Sequence, residues 1–222
     1  MATGKVTALR IQERDETRVN VFLDGSFAIG VSLNTLAAER LFVGMELDAD
    51  TYTRLERAEG ISRAYFAALR LIEARPRSES EVRERLKRHE HTPETIDAAV
   101  AKLADLGLLD DQQFARYWVE NRQNYRPRGR NALRSELRRK GVDAETVAVT
   151  LQDAELVGDE TESATRLARA HVHKYAGAAD RREFARRLGG FLERRGFAFS
   201  TTRGVIDALW RELQQGDDET DS

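Results

Sequence analysis

The chain has 222 residues, 36 lysines and arginines against 38 aspartates and glutamates, and no cysteine. That length allows one or two domains or an array of smaller units, and 41% apolar residues is too many for a disordered chain. The missing cysteines exclude disulfides, thiolate-held zinc, iron–sulfur clusters and cysteine nucleophiles. Residues 1–10 lack the apolar core of a signal peptide, and no window approaches the roughly 18 apolar residues of a membrane span. The chain therefore reads as cytoplasmic, with no membrane partner.

Residues 5–31 predict strands. Thr7, Leu9 and Ile11 alternate, then Val19, Val21 and Leu23, then Phe27, Ile29 and Val31. Asp24-Gly25 is a hairpin signal, because a type I′ turn needs positive φ at both central residues. Asp15-Glu16-Thr17 supplies the other turn of a three-stranded antiparallel meander. A sheet this small needs a helical cover. Short helices over 32–40 and 50–59 would supply it, with Ser32 and Asp50 as N-caps and Gly60 as a stop.

From Ser62 onward the pattern is helical and repeats. Arg75-Pro76-Arg77 recurs as Arg126-Pro127-Arg128, an offset of 51. At the same offset Phe66 meets Tyr117, Arg83 meets Arg134, Leu86 meets Leu137, Ile96 meets Val147, Val100 meets Leu151, and Leu106-Gly107 meets Val157-Gly158. A looser third copy relates Leu137-Arg-Arg-Lys-Gly141 to Leu192-Glu-Arg-Arg-Gly196 at an offset of 55, and Val205, Ile206, Leu209, Trp210 and Leu213 form a closing amphipathic helix. Ser78 with Glu81, Asp110 with Gln113, and Asp180 with Glu183 fit capping boxes, Asp143 fits a cap, and Thr92-Pro93 fits a cap before a first-turn proline.

The expected fold is mainly α: three tandem three-helix repeats in an extended array, preceded by the small β-meander. The expected boundaries are 1–61 for the meander with its short helices, then repeats at 62–110, 111–160 and 161–215. An acidic disordered tail would occupy 216–222.

No residues support catalysis. There is no glycine-rich phosphate loop, nucleophile elbow or His-Glu-x-x-His motif. His89-Glu90-His91 and His171-Val172-His173, read as helical, cannot turn both imidazoles to one ion. No cofactor or metal is expected, and Asp110-Asp111 reads as a cap. Phe66, Phe114, Tyr117, Trp118, Phe184, Phe191 and Trp210 read as core aromatics. Tyr125, expected in a loop between Arg122 and Arg126, is free to stack on a base or partner side chain.

The small net charge of −2 conceals blocks. Residues 122–140 carry 8 basic side chains (Arg122, Arg126, Arg128, Arg130, Arg134, Arg138, Arg139, Lys140) and one acidic, Glu136, whereas residues 141–165 carry no basic and 7 acidic. On a helix turning about 100° per residue, Arg130, Arg134 and Arg138 form one stripe beside the face of Leu133 and Leu137. Glu79, Glu81 and Glu84 of the first repeat become Arg130, Ala132 and Ser135 in the second. Acid has been exchanged for base on one scaffold, which points to a binding face. Arg128-Gly129-Arg130 would add exposed amides at a positive helix end. Seven phosphate contacts would weaken binding on the order of 10³-fold or more between 50 and 200 mM salt.

The chain resembles the RecX family, bacterial regulators of the recombinase RecA. The residues that carry the resemblance are Arg75-Pro-Arg-Ser-Glu79 with Leu86, Gly107-Leu-Leu-Asp-Asp111 with Phe114-Ala115, and Arg122, Gly129, Leu133, Leu137 and Gly141, within 63–215. It implies a non-enzymatic, monomeric modulator that binds the RecA–DNA filament and lowers ATPase, strand exchange and coprotease activity. Arg126, Arg128, Arg130, Arg134, Arg138, Arg139 and Lys140 would make the main contacts to filament protein and single- or double-stranded DNA. Arg75, Arg77, Arg122 and Tyr125 would be secondary. The rival readings are a general DNA- or RNA-binding module and a protein-interaction solenoid using the acidic block from Asp153 to Glu162.

Overall fold

The computed structural model describes residues 3–220, with side chains through residue 215. The chain divides after Leu109 into two compact units.

In the first unit, β1 (Gly4–Gln12), β2 (Asp15–Leu23) and β3 (Ser26–Ser32) form the meander, and α1 (Leu33–Ala38) follows. Asp24 and Gly25 have φ of 47° and 83°, as a type I′ turn requires. A two-residue β4 (Glu46–Leu47) pairs with Gly4 and Lys5, making the sheet four-stranded in the order β3-β2-β1-β4. So short a pairing leaves no alternation to read. The predicted phase of β1 is also corrected: Val6 is buried while Ile11 is exposed. A register shift between Val6 and Ala8 switches the inward face, as a bulge does.

Helix α2 (Ala49–Ala74) covers the sheet and then continues into the first repeat. Asp48 rather than Asp50 is its N-cap, accepting from the Thr51 amide at 2.7 Å. Gly60 does not stop it. A helical glycine costs only about 1 kcal/mol, and a Cβ at this position would lie 2.9 Å from Thr95 Cγ2 of the packed neighbour. Buried Glu59 fastens sheet to helix by accepting from the Ser32 amide at 2.8 Å and the Thr35 hydroxyl at 3.0 Å and pairing with Arg18 Nη1 at 2.8 Å. Helices α3 (Glu79–Arg88) and α4 (Pro93–Asp105) complete the first repeat around Ala68, Val82, Leu86, Ile96, Val100 and Leu103.

In the second unit, α5 (Asp111–Tyr125), α6 (Arg130–Arg139), α7 (Ala144–Gln152) and the single turn α8 (Ala154–Val157) enclose Phe114, Val119, Leu133, Leu137, Val147 and Leu151. The third repeat has α9 (Glu160–Arg169), a 3-10 turn (Val172–Lys174), α10 (Arg181–Arg194) and α11 (Phe199–Thr220) around Leu167, Phe184, Leu188, Leu192, Val205 and Leu209. The expected caps are in place, with Ser78, Thr92, Asp110, Asp143 and Asp180 each accepting a first-turn amide. α10 begins 51 residues after α6, but α11 begins 55 after α7. The stretched spacing is thus about one extra turn of α10, which runs unbroken through Gly189-Gly190. The backbone of α11 runs to Thr220, and the side chains of the expected acidic tail lie outside the described residues.

Each repeat closes its second helix with a left-handed residue, and those residues are Glu90, Gly141 and Gly196, with φ of 61°, 84° and 87°. A side chain at that conformation costs about 1–2 kcal/mol, which only the first repeat bears. Glu90→Gly should therefore raise stability by roughly 0.5–1 kcal/mol despite the added freedom of the unfolded chain, read as a higher denaturation midpoint. The His-x-His segments are not helical as assumed: His89 is the C-cap of α3 and His171 precedes the 3-10 turn.

Candidate functional site

Helix α6 turns Leu133 and Leu137 inward, both fully buried, which leaves Arg134, Arg138 and Arg139 exposed and Arg130 half-buried. Arg134 Nη1 donates to Asn131 Oδ1 at 3.2 Å and Arg138 Nη1 to the Val142 carbonyl at 3.2 Å. Among the described residues no carboxylate forms an ion pair with Arg126, Arg130, Arg134, Arg138 or Arg139.

The first repeat shows what these positions hold when charge is used internally. There Arg75 pairs with Glu81 at 3.0 Å, Arg83 with Glu79 at 2.6 Å and Asp97 at 2.5 Å, and Arg88 with Glu84 at 2.8 Å. Fifty-one residues on, all three arginines return, as Arg126, Arg134 and Arg139. Every acidic partner has gone: the equivalents of Glu81, Glu79, Asp97 and Glu84 are Ala132, Arg130, Ala148 and Ser135. The bases are retained without the groups that neutralise them, so the field of this helix is directed to solvent.

Three predicted contact residues also make contacts within the fold. Arg122 Nε donates to Glu136 Oε2 at 2.7 Å and its guanidinium lies 4.2 Å from the Trp118 ring. Arg128 Nε lies 3.4 Å from Glu136 Oε1, and Trp118 Nε1 donates to Glu136 Oε2 at 2.9 Å. Lys140 covers the Trp118 ring at 4.9 Å. Glu136 is the one acid of the basic block, and it is spent holding α5 against α6. Trp118 is accordingly a half-buried clamp rather than deep core, and Tyr117, expected in the core, is 40% exposed.

The start of α6 also differs from expectation. The Gly129 amide donates to the Arg195 carbonyl at 3.0 Å, the Asn131 amide to the Gly196 carbonyl at 3.2 Å, and the Arg130 amide to Glu160 Oε1 at 3.0 Å. The helix end does attract a carboxylate, but one from the same chain, and the Gly129, Arg130 and Asn131 amides are already bonded. This docking brings in Arg195, which was not among the expected contact residues. Arg195 lies close enough to Arg128 and Arg126 to have its pKa lowered, with burial the larger cause. The signal was present in Leu192-Glu-Arg-Arg-Gly196, the third copy of the basic helix end.

Tyr125 is 78% exposed, as a stacking group requires. Arg75 and Arg77 belong to the first unit, where Arg75 is tied to Glu81 and Arg77 Nε donates to the Leu71 carbonyl at 2.9 Å. The acidic block of residues 141–165 is largely structural. Asp143, Asp153 and Asp159 cap α7, α8 and α9, Glu160 holds the Arg130 amide, and Asp153 pairs with Arg116 at 2.7 Å. Hydrogen bonds from Thr146 hold the Asp143 carboxyl below its usual range, as do the Leu156 amide and then Arg116 for Asp153.

Family models describing the RecX N-terminal domain, first three-helix domain and second three-helix domain match residues 4–48, 64–103 and 110–151. A Regulatory protein RecX of Bacillus subtilis (strain 168) is 30% identical over 217 residues, spanning 96% of this chain and 79% of the relative. The chain belongs to the RecX family. A Mycobacterium sp. (strain KMS) RecX is 35% identical over 146 residues, 64% of this chain and 79% of the relative. One crystal structure of regulatory protein RecX has a TM-score of 0.75 at 26% identity, covering 93% of this chain and all of that one. RecX from Lactobacillus salivarius has a TM-score of 0.59 at 25% identity, covering 71% and 99% of the two chains. Arg130, Arg134, Arg138 and Arg139, which form no ion pair among the described residues, all lie inside the stretch matched by the second RecX three-helix domain.

Proposed function

We propose that this RecX chain is a non-enzymatic cytoplasmic regulator that binds the RecA–DNA filament as a monomer and lowers recombinase ATPase, strand exchange and coprotease activity. The observation that carries the reading is the loss of four acidic partners around three retained arginines. Arg126, Arg130, Arg134, Arg138 and Arg139, with Arg195 beside them, form the anion-facing surface. Tyr125 stands next to it as a stacking group. The acidic block favours the protein-solenoid alternative less, because most of its carboxylates are committed to caps and internal bonds.

The test is RecA ATPase on single-stranded DNA, titrated with this protein at two salt concentrations. Inhibition well below one protein per RecA, weakening as salt rises, is expected. Inhibition that begins only when the protein is abundant enough to coat the DNA would mean simple competition for DNA and would contradict the filament reading. If five guanidinium groups meet phosphates of the single strand, affinity should fall about 130-fold between 50 and 200 mM salt.

A further inference from the structure

The first unit contains a groove that neither the basic block nor the filament-facing helix explains. It encloses about 1190 Å³ between the β2–α1 end of the sheet and the adjoining faces of α2 and α3. Four arginines line it (Arg18, Arg63, Arg70 and Arg85), with His89 and His91, against a single carboxylate, Asp15.

Only one of these arginines is needed by the fold. Arg18 is consumed by Glu59 at 2.8 Å and the Gly30 carbonyl at 2.8 Å. Arg63, Arg70 and Arg85 are exposed, and among the described residues no carboxylate forms an ion pair with them. Asp15 is already bonded to the Thr17 amide at 3.0 Å and hydroxyl at 2.5 Å. The excess positive field registers on His91, whose pKa is lowered by burial first and then by Arg63 and His89.

The arrangement along α2 identifies the ligand class. Arg63 and Arg70 lie two helical turns apart on one face, about 10 Å along the axis, and Phe66 lines the groove between them. Guanidinium, aromatic, guanidinium is the alternation that suits phosphate, base, phosphate. An acidic peptide would use the charges but has no call on the ring. We propose that this groove is a second anion site that takes a single nucleic-acid strand, with Arg63, Arg70 and Arg85 on phosphates and Phe66 against a base, independently of RecA.

The experiment is fluorescence anisotropy of the full chain with a fluorescein-labelled oligothymidine and no RecA, so that it succeeds or fails separately from the filament reading. It is run in an Arg130→Glu, Arg134→Glu, Arg138→Glu background, which removes the α6 face. Adding Arg63→Glu, Arg70→Glu and Arg85→Glu should lower the remaining affinity about 100-fold near 0.1 M salt and reduce the salt slope by about 2. Phe66→Leu should cost roughly tenfold with the slope unchanged, the mark of stacking rather than charge. Circular dichroism checks that each variant keeps its helices. Unchanged binding and slope in the folded groove variant overturn the proposal. So does displacement of the oligonucleotide by polyglutamate at equal charge concentration, which would assign the groove to an acidic protein.

Discussion

Reversing Arg130, Arg134 and Arg138 to glutamate should weaken binding to the RecA–single-stranded DNA filament by more than 100-fold near 0.1 M salt. Each phosphate contact on a single strand contributes about 0.7 to the salt slope, so three contribute about 2.1 decades of affinity at that concentration, before any repulsion from the new carboxylates. The fold should survive. The helix is held by Leu133 and Leu137, and among the described residues the three side chains donate only to Asn131 Oδ1 and the Val142 carbonyl. Sedimentation of the variant with filaments, beside circular dichroism, reads both halves of the expectation. Undiminished cosedimentation of a folded variant would remove α6 from the interface.

Gly196→Ala should be the most damaging small substitution in the second unit. Its φ of 87° costs a side chain about 1–2 kcal/mol, and an added Cβ would lie 2.3 Å from Ala132 Cβ and 2.4 Å from the Ala132 nitrogen. Both are backbone-anchored atoms of the turn that starts α6, so relief requires the second and third repeats to separate. Separation gives up the bonds from Gly129 to Arg195 and from Asn131 to Gly196. With overpacking worth about 1–3 kcal/mol, a total near 3–5 kcal/mol is expected, or a melting point lower by more than about 10 °C. Gly204→Ala is the control. Nothing lies within 4 Å of its Cβ position, and in α11 it should stabilise by up to about 1 kcal/mol. Equal melting points for the two variants would show that the repeats are not joined through this contact.

The repeat was legible because a three-helix unit imposes one spacing on its caps, buried leucines and turns, and Leu86, Leu137 and Leu192 are all fully buried. The arginine stripe was legible for the same reason, since helix periodicity fixes which residues share a face. What escaped depends on contacts between elements. Nothing local says that Glu136 reaches across to Arg122, 14 residues away, or that Glu160 fills the helix end at Arg130. In the first unit the ion-paired Arg75, Arg83 and Arg88 lie in the same stretch of chain as Arg63, Arg70 and Arg85, which form no ion pair among the described residues. Counting charge along the chain cannot distinguish a neutralised arginine from a free one. The bulge in β1 escaped because a one-residue irregularity reverses the alternation that strand reading relies on.

The central claim is that the second repeat binds because its arginines lack partners, and this can be tested without removing any of them. Ser135→Glu and Ala148→Asp restore, at exposed positions, the equivalents of Glu84 and Asp97, which in the first repeat pair with Arg88 and Arg83. Affinity of the double variant for the RecA–single-stranded DNA filament should fall about 25-fold near 0.1 M salt, as two phosphate contacts are neutralised, with stability kept. Unchanged affinity, with Arg134 and Arg139 shown to be paired, would contradict the account.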